Sequence, residues 1–394
     1  MQYLTGIFFN SKMSMMRIFH KMKEGFCFME LHTFGFIGLG LIGGSLALAL
    51  KRSDPGCQIM AYTRTRASAE QALDCHAIDM ICESSKDPQF SKCDCVFLCA
   101  PVGSNIAALS DLKNIVRKDC ILTDVGSVKT DIHQAASEMG LDGRFIGGHP
   151  MAGSEKSGFA NAQAHLFENA YYVITPSEGA PKESIDAYRT LASSLGSIPL
   201  VLDYRQHDYV TAAVSHLPHL IAASLVNTVH DLDSKDEVMK MIAAGGFKDI
   251  TRIASSSPEM WEHICVANSS NISLVMDAFI RLLEECRTEM AAGNGSAIYK
   301  TFERSRDYRD SFSSTSLGSI KKTYRIYCDI VDESGAIATI ATTLAVNGIN
   351  IKNIGIVHNR EFEEGVLRIE FYEEEPSLKA AEILRQHRYQ IWIR

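Results

Sequence analysis

Short apolar segments alternate with longer amphipathic ones over the first half of the chain. Apolar strands are predicted at 34–37, 58–62, 95–99, 120–123, 145–147 and 171–174, and helices at 46–52 and 67–75. Strands separated by helix-length segments usually pair in parallel, with helices on both faces. The pattern therefore predicts an α/β fold, a Rossmann-type doubly wound parallel sheet, over residues 31–180.

The pattern becomes helical beyond about residue 181. Apolar residues recur at helical spacing within 185–195, 207–229, 236–243, 258–267 and 272–287. Helices that are apolar on more than one face commonly pack against a partner chain. We therefore predict an all-α domain at 181–292 that takes part in a homodimer.

A third pattern follows at the C-terminal end. Glycines and serines with three interspersed arginines predict a fraying helix and a linker at 293–322. Strand, helix, strand, strand, helix and strand are then predicted at 324–331, 335–346, 349–357, 366–371, 377–386 and 389–393. This βαββαβ order is that of the ferredoxin-like fold, so we predict a third domain at 323–394.

Composition excludes several classes of protein. Hydrophobic residues make up 46% of the chain and charged residues 22%, which is typical of globular proteins and not of disordered ones. The net charge of -8 offers no basic surface for nucleic acid. Apolar runs such as 34–50 are too short and too glycine-rich to span a membrane.

The eleven cysteines form neither a disulfide framework nor a zinc motif. The densest group, Cys93, Cys95 and Cys99, alternates with apolar residues in the manner of a buried strand. We therefore predict reduced core thiols and a cytoplasmic protein.

The first 30 residues are rich in methionine and carry a small excess of basic residues. They lack the compact apolar core and the cleavage site of a secretory signal, whereas the scarcity of acidic residues before Glu24 leaves a transit peptide open. We favour a disordered extension at 1–30, with Met29 as the working start.

A glycine-rich loop follows the first predicted strand and begins a helix. It contains Gly38, Gly40 and Gly43, with Leu41 and Ile42 between the last two. In this strand–turn–helix setting the three glycines predict a dinucleotide site, with the pyrophosphate at the helix N-terminus. Ala100 and Pro101 end a neighbouring strand, so we expect them at the same site.

The end of the second strand bears on the choice of dinucleotide. NAD sites usually place an acidic residue there, whereas this strand is followed by Thr63, Arg64 and Arg66. The two arginines could pair with a 2′-phosphate, or they could belong to a solvated turn. We favour NADP without excluding NAD.

A histidine lies within a glycine-rich segment at another strand end. His149 is flanked by Gly147, Gly148 and Gly153, which would let a ligand approach closely. Its imidazole can titrate near neutral pH, as the oxidation of a hydroxyl-bearing substrate requires. We therefore read His149 as a functional residue.

The helical block adds polar motifs at 207–209, 215–219 and 245–252. His216 and His219 are three residues apart, which could suggest a metal site, but no third ligand is evident. Arg252 could offer a planar guanidinium to a carboxylate, or it could be a surface arginine.

Five motifs in this order resemble the prephenate dehydrogenase family, which includes arogenate dehydrogenases. They are the Gly38 loop and the segments 126–129, 148–153, 215–219 and 245–249, and the resemblance runs from about residue 34 to residue 286. It implies oxidative decarboxylation of prephenate to 4-hydroxyphenylpyruvate, with hydride transfer to the nicotinamide and no metal. It also implies a helical dimer whose sites include residues from both chains.

The resemblance also implies roles for individual residues. His149 would accept the proton of the ring C4 hydroxyl, and Ser127 would orient that hydroxyl and His149. The substrate-binding residues implied are Ser154, Glu155, His219, Lys248 and Arg252. Thr63 stands where many relatives carry Asp, which puts strict use of NAD in doubt.

The C-terminal domain resembles an ACT domain, a small regulatory module that binds amino acids. The ligand-facing positions implied are Asp332 and Gly335 after the first strand and Asn350 and Ile351 at the second. Tyrosine is the expected effector because it is the end product of the pathway. The alternative is a domain used only for assembly.

Two rival functions remain from the sequence. One is a generic hydroxyacid dehydrogenase of similar architecture. The other is a catalytically silent amino-acid sensor, in which we would expect the His149 loop to be degraded, and it is intact. The sequence leaves prephenate and arogenate as alternative substrates.

Overall fold

A computed structural model describes residues 31–153, 156–312, 324–330, 333–357 and 366–393. The predicted extension at 1–30 and residues 313–322 of the predicted linker lie outside these ranges. The chain divides into two compact units, with the boundary between Thr288 and Glu289.

In the part of the first unit that the structure describes there are eight strands. They are β1 (Thr33–Ile37), β2 (Gln58–Tyr62), β3 (Met80–Ile81), β4 (Cys95–Leu98), β5 (Ile121–Asp124), β6 (Ile146–Pro150), β7 (Tyr171–Pro176) and β8 (Ile198–Val201). Five are parallel, in the order β3-β2-β1-β4-β5. A parallel bridge from Leu122 to Phe145 adds β6, after which β7 is antiparallel to β6 and β8 is parallel to β7.

Helices pack against apolar residues on both faces of this sheet. They are α1 (Leu41–Ser53), α2 (Arg66–Asp74), α3 (Val102–Leu112), α4 (Thr130–Glu138) and α5 (Lys182–Ser194). One core cluster combines the odd residues of β4 with α1, α2 and α5, and a second combines its even residues with α3 and α4. Because both faces are covered, the strands read as continuous apolar runs. The predicted Rossmann-type parallel sheet is confirmed.

Two strands escaped prediction. β3 has only two residues, and β8 leaves Leu200 and Val201 exposed at the margin of the sheet. Neither segment has the length or the alternation that indicates a strand.

All ten cysteines in the described residues are free thiols. Six are buried: Cys57, Cys82, Cys93, Cys95, Cys120 and Cys328. Burial raises the pKa of the Cys57 thiol to about 11 and that of Cys82 to about 12, which keeps both protonated and unreactive. The core-thiol interpretation therefore holds for these six, whereas Cys75 is exposed.

The rest of the first unit is helical, as predicted. Its helices are α6 (Tyr204–Thr211), α7 (Leu217–Leu232), α8 (Val238–Ile242), α9 (Gly245–Thr251), α10 (Pro258–Ala267) and α11 (Ser269–Ala291), the last of which crosses the unit boundary. A π-helical turn at Ala212–His216 joins α6 to α7. Pro218 lacks the amide hydrogen that a regular helix would need there, which accounts for the widened turn.

The combined helical run Tyr204–Leu232 has a mean hydropathy of 1.3 in its most apolar window. By length and composition this is the one run in the described ranges that could cross a membrane. Interior helices of globular proteins can be equally long and apolar. This run also contains two buried polar residues, His207 and Asp208.

Many large apolar side chains of the helical region are exposed. They include Met241, Ile242, Ile250, Val266, Leu274, Leu282 and Leu283. In α11, Ile272 is the one buried residue. Such a surface is typical of a helical layer that packs against another protein chain.

The second unit begins in α11 and continues with α12 (Gly295–Ser311). The Asn294 side chain accepts a hydrogen bond from the Ala297 amide at 3.2 Å and so caps this helix. A continuous 17-residue helix thus occupies the segment where the sequence predicts a fraying helix and a linker.

The remaining elements are β9 (Tyr324–Asp329), α13 (Ala336–Val346), β10 (Asn353–Val357), β11 (Val366–Phe371), α14 (Glu374–Gln386) and β12 (Ile391–Ile393). The strands form an antiparallel sheet in the order β10-β11-β9-β12 around their own apolar core. The predicted βαββαβ order is the one observed.

Candidate active site

Several predicted site residues follow parallel strands at one edge of the sheet. Thr63, Ala100 and Ser127 come after β2, β4 and β5, and His149 is the penultimate residue of β6. Ligands of doubly wound folds bind in the crevice at this edge. The edge is therefore where a dinucleotide and its substrate would meet.

The glycine loop between β1 and α1 has the shape of a pyrophosphate cradle. Gly38 has a φ of +99°, which favours glycine, and a side chain at Gly43 would collide with the Gly38 carbonyl oxygen. At Gly40, by contrast, an added Cβ would meet no atom within 4 Å. α1 begins at Leu41 without a side-chain cap, so its first amides are available to an anion. These residues fit a bound dinucleotide.

A buried asparagine that the sequence analysis missed holds the neighbouring loop in place. Asn105 Nδ2 donates to the Leu98 carbonyl at 3.2 Å, and its Oδ1 accepts from the Ala100 amide at 3.0 Å. These bonds fix Ala100 and Pro101 at the crevice edge, where Pro101 precedes α3. An amide residue in the first turn of a helix that follows a strand was the only available signal.

The two arginines predicted near the cofactor ribose, Arg64 and Arg66, differ in their ion pairs. Arg66 is paired with Glu83 at 3.0 Å and with Glu70 at 3.2 Å. Arg64 is exposed and forms no ion pair within the ranges that the structure describes. Thr63 is half-buried beside it. Of the two arginines, Arg64 is the freer to meet a ligand phosphate.

His149 lies at the start of a buried chain of polar groups. Its Nδ1 is 2.8 Å from His207 Nε2, and His207 Nδ1 is 2.8 Å from Asp208 Oδ1. Burial, then the neighbouring His207, Lys129 and His216, hold the pKa of His149 well below its usual value. The imidazole is therefore neutral at pH 7 and able to accept a proton.

Asp208 is held by groups from three parts of the first unit. Its Oδ1 also accepts from the Lys129 amide at 2.8 Å, and its Oδ2 accepts from the Thr130 amide at 2.8 Å and the Thr130 hydroxyl at 2.5 Å. Asn268 donates to the Asp208 carbonyl at 2.7 Å. Although burial acts to raise the pKa of the Asp208 carboxyl, the hydrogen bonds from His207, Thr130 and Lys129 lower it overall.

A buried ion pair joins the ends of β5 and β6. The fully buried Lys129 ammonium donates to Asp124 and, at 2.8 Å, to the carbonyl of Gly148. Burial lowers the pKa of Lys129, while Asp124 and Asp208 oppose that shift. Because Gly148 precedes His149, this contact fixes the backbone beside the imidazole.

The opposite wall comes from the helical region. The His219 ring stacks on Trp261 with 3.8 Å between the ring centroids, and His216 meets the same indole edge-on. Burial lowers the pKa of His216 to about 4. It also lowers the pKa of His219, with a further contribution from nearby Arg252. The structure thus brings His219 and Arg252 together.

In the ranges that the structure covers, no group of three or more His, Cys, Asp or Glu residues is arranged to hold an ion.

The remaining predicted substrate residues divide into two groups. Lys248, in the last turn of α9, and Arg252 are exposed. Ser154 and Glu155 lie outside the described residues.

The predicted regulatory residues belong to the second unit. Gly335 precedes α13 with a φ of +94°, Asn350 is exposed, and Ile351 packs partly on the core of that unit. Asp332 lies outside the described residues.

An open glycine loop and a buried imidazole at the same sheet edge define the class of the protein, a dinucleotide-dependent oxidoreductase. Residues 46–198 match the prephenate dehydrogenase nucleotide-binding domain family, and residues 203–304 match the prephenate dehydrogenase dimerization domain family. The chain belongs to the prephenate dehydrogenase family.

Individual relatives agree with this membership. The chain is 37% identical over 350 residues to a prephenate dehydrogenase of Bacillus subtilis, covering 88% of this chain and 94% of that protein. A structure of Aquifex aeolicus prephenate dehydrogenase with hydroxyphenyl propionate and NAD+ matches with a TM-score of 0.68, 30% identity, and 72% and 99% coverage of the two chains. Arogenate dehydrogenase of Synechocystis matches with a TM-score of 0.64, 28% identity, and 71% and 99% coverage.

Proposed function

We propose that this protein oxidatively decarboxylates prephenate to 4-hydroxyphenylpyruvate in tyrosine biosynthesis, with His149 as the general base. The observation that carries this proposal is the position of the His149 imidazole, which is buried at the same sheet edge as the open Gly40 loop. Arogenate is the second candidate substrate, because the fold also matches an arogenate dehydrogenase.

The reaction needs one proton acceptor, one hydride acceptor and a departing carboxylate. Bound nicotinamide supplies the hydride acceptor. His149 Nε2 takes the proton of the ring C4 hydroxyl as the hydride leaves C4, and the carboxylate at C1 departs as carbon dioxide. The electrons of that carbon–carbon bond complete the aromatic ring, so the protein mainly positions the reacting groups.

Other residues would position the substrate. Ser127 follows β5 beside β6 and would orient the C4 hydroxyl relative to His149. Arg252 would pair with a substrate carboxylate, and His219 and Lys248 would line the same wall. By the resemblance to the family, Ser154 and Glu155 would shape the opposite wall of the substrate site.

The activity is tested with initial rates of nicotinamide reduction on prephenate or arogenate, with NAD or NADP. We expect turnover with one of the two substrates, and we expect His149→Asn to reduce kcat by about 10²- to 10⁴-fold, the usual contribution of a general base. Circular dichroism checks that the variant is folded. Near-normal turnover by His149→Asn would remove this residue from the mechanism, and activity on simple hydroxy acids alone would contradict the substrate.

We further propose that the dinucleotide is NADP in preference to NAD. Support comes from Thr63 at the end of β2, where an acidic residue would favour NAD, and from the exposed Arg64 beside it.

We also propose that the second unit carries a ferredoxin-like ACT domain that binds tyrosine. Support comes from its βαββαβ order and from the left-handed Gly335 before α13, where helix amides are accessible. Equilibrium dialysis of labelled tyrosine against the whole chain tests this proposal. Saturable binding that Gly335→Val weakens is the expected result, and no saturable binding would refute it.

A cytoplasmic homodimer completes the proposal. Support comes from the exposed apolar side chains of the helical region and from the match of residues 203–304 to a dimerization domain family. Sedimentation equilibrium should give twice the chain mass of 43.5 kDa.

A further inference from the structure

We propose that His207 and Asp208 are positioning residues that fix the tautomer of His149, so that its Nε2 faces the substrate without a proton. This inference rests on the proposed role of His149 as the base. Neither His207 nor Asp208 belongs to the glycine loop or to the proposed substrate-binding residues, and the inference gives this pair a function.

The argument begins at Asp208, whose two oxygens receive four contacts. Three of these come from obligate donors or a hydroxyl: the amides of Lys129 and Thr130 and the Thr130 hydroxyl. A proton on Oδ2 would point at one of these donors, and the hydrogen bonds that the carboxyl accepts hold the pKa of Asp208 below its usual value although burial opposes this. The carboxylate is therefore ionised and acts only as an acceptor.

The protonation of His207 follows from that of Asp208. Its Nδ1 lies 2.8 Å from Asp208 Oδ1, so this nitrogen must carry the hydrogen and donate it. A neutral imidazole with a hydrogen on Nδ1 has a bare Nε2. His207 therefore offers an acceptor to whatever approaches its other nitrogen.

His149 is what approaches it. His149 Nδ1 lies 2.8 Å from His207 Nε2, and it must donate because His207 accepts. The hydrogen of neutral His149 is thus on Nδ1, and its Nε2 keeps the lone pair that a general base needs. If His207 carried its hydrogen on Nε2 instead, His149 would be protonated on Nε2 and could not accept a proton from the substrate.

The surrounding structure holds the pair in register. Asp203 caps α6 by accepting from the amides of Arg205 and Gln206 at 2.8 and 3.2 Å, which places His207 in the first turns of the helix. The Thr211 hydroxyl donates to the His207 carbonyl at 2.9 Å, and Asn268 donates to the Asp208 carbonyl at 2.7 Å. The relay formed by His149, His207 and Asp208 is therefore held by hydrogen bonds to the backbone of both His207 and Asp208.

The arrangement also has a role after proton transfer. Burial opposes a charge on His149, and Lys129 and the neighbouring histidines add to that opposition. The negative charge of the Asp208 carboxylate acts through His207 and stabilises the imidazolium that forms on His149.

The tautomer can be measured on the unmodified protein. With ¹⁵N-labelled histidine, two-bond ¹⁵N–¹H correlation spectra of the folded chain distinguish a protonated from a bare ring nitrogen, and His149→Asn identifies the signals of His149. We expect a hydrogen on Nδ1 and none on Nε2. A hydrogen found on Nε2 of neutral His149 would overturn the proposal, and His149→Asn is needed only to assign the signals.

Kinetics of three variants complete the test. Asp208→Asn forces a donor onto one oxygen position, so we expect kcat to fall on the order of 10²- to 10³-fold, with KM changed less than threefold and a hydrogen moved to His149 Nε2. His207→Leu should give a similar loss. His207→Gln retains an acceptor for His149 Nδ1, and we expect it to recover most of the activity that His207→Leu loses.

The outcomes separate this inference from the proposed function. If His149→Asn is inactive while folded Asp208→Asn and His207→Leu turn over within threefold of the parent, the base is correct and the relay is wrong. If His149→Asn itself is active, the proposed function fails first. Equal losses in His207→Gln and His207→Leu would point to a structural role and contradict the relay.

Discussion

The candidate active site has a sheet side, made of the ends of β5 and β6 with α6 packed on β7, and a helical side, made of α7, α9 and Arg252. The two sides differ in how completely their polar groups are paired. On the sheet side, Asp208 receives four contacts and the Lys129 ammonium is shared between Asp124 and Gly148. On the helical side, Lys248 and Arg252 are exposed and form no ion pair within the described ranges.

This difference matches two kinds of task. A group that moves a proton must have its hydrogen and its orientation fixed beforehand, which requires buried partners. A group that binds a charged substrate must stay hydrated until the substrate replaces that water, since a permanent partner would compete for it. The comparison therefore predicts that substitutions on the sheet side lower kcat, whereas substitutions on the helical side raise KM.

The largest effect outside the proton relay is expected for Arg252→Ala on the helical side. A charged hydrogen bond to a carboxylate contributes about 1.5–3 kcal/mol, so KM for the dicarboxylate substrate should rise about 10- to 100-fold. The pH dependence of kcat should stay unchanged, because the relay on the sheet side is intact. Steady-state kinetics across pH measure both quantities.

Two further variants sharpen this prediction. Arg252→Lys keeps the charge but loses the planar fork, and it should fall between the parent and Arg252→Ala. Arg189→Ala is the matched control, because Arg189 pairs with Asp186 at 3.4 Å on α5. A rise in KM of less than threefold for Arg252→Ala would show that this arginine does not bind substrate.

One buried histidine of the sheet domain, His133, and one of the helical region, His216, predict a loss of stability in acid. Burial lowers the pKa of His133 to about 3 and that of His216 to about 4, from the ordinary 6.5. The unfolded chain therefore binds more protons than the folded one below pH 6.5, and the free energy of unfolding falls as pH drops toward 4. At pH 5 each of these histidines should lower it by about 2 kcal/mol.

Urea denaturation between pH 7 and pH 5 measures this loss. His133 is packed against Tyr204 and lies 3.0 Å from the Thr175 hydroxyl, so His133→Gln will change stability at every pH, but it should also reduce the slope with pH. His230→Gln is the control, because that imidazole is 84% exposed. An unchanged slope in His133→Gln would contradict the assignment.

The sequence was sufficient for features that depend on neighbouring residues. The Gly38 loop is recognisable because turn, phosphate cradle and helix start lie within six positions. The apolar spacing also predicted a helix at 258–267, and α10 occupies this range. The strands are continuous apolar runs, and this pattern likewise predicted a parallel sheet with helices on both faces.

Features that depend on distant residues could not be read in this way. His207 and Asp208 were visible as a polar motif, but His207 meets a histidine 58 positions away, and only the packing of α6 on the sheet reveals it. The continuous helix α12 was also underestimated. None of its residues is buried, so burial leaves no periodic signal, and the Asn294 cap marks its start.

The smallest effect is expected at the cofactor end, where the same contrast between paired and unpaired charge recurs. Arg66 is already shared by two carboxylates, whereas Arg64 pairs with none in the described residues. Arg64→Ala should therefore weaken NADP about fivefold, the effect of an exposed charge pair worth about 1 kcal/mol, and leave NAD nearly unchanged. Arg66→Ala should weaken both dinucleotides little. Fluorescence titration of each variant with NADP and NAD measures this difference, and equal losses of both dinucleotides in Arg64→Ala would rule out a phosphate contact.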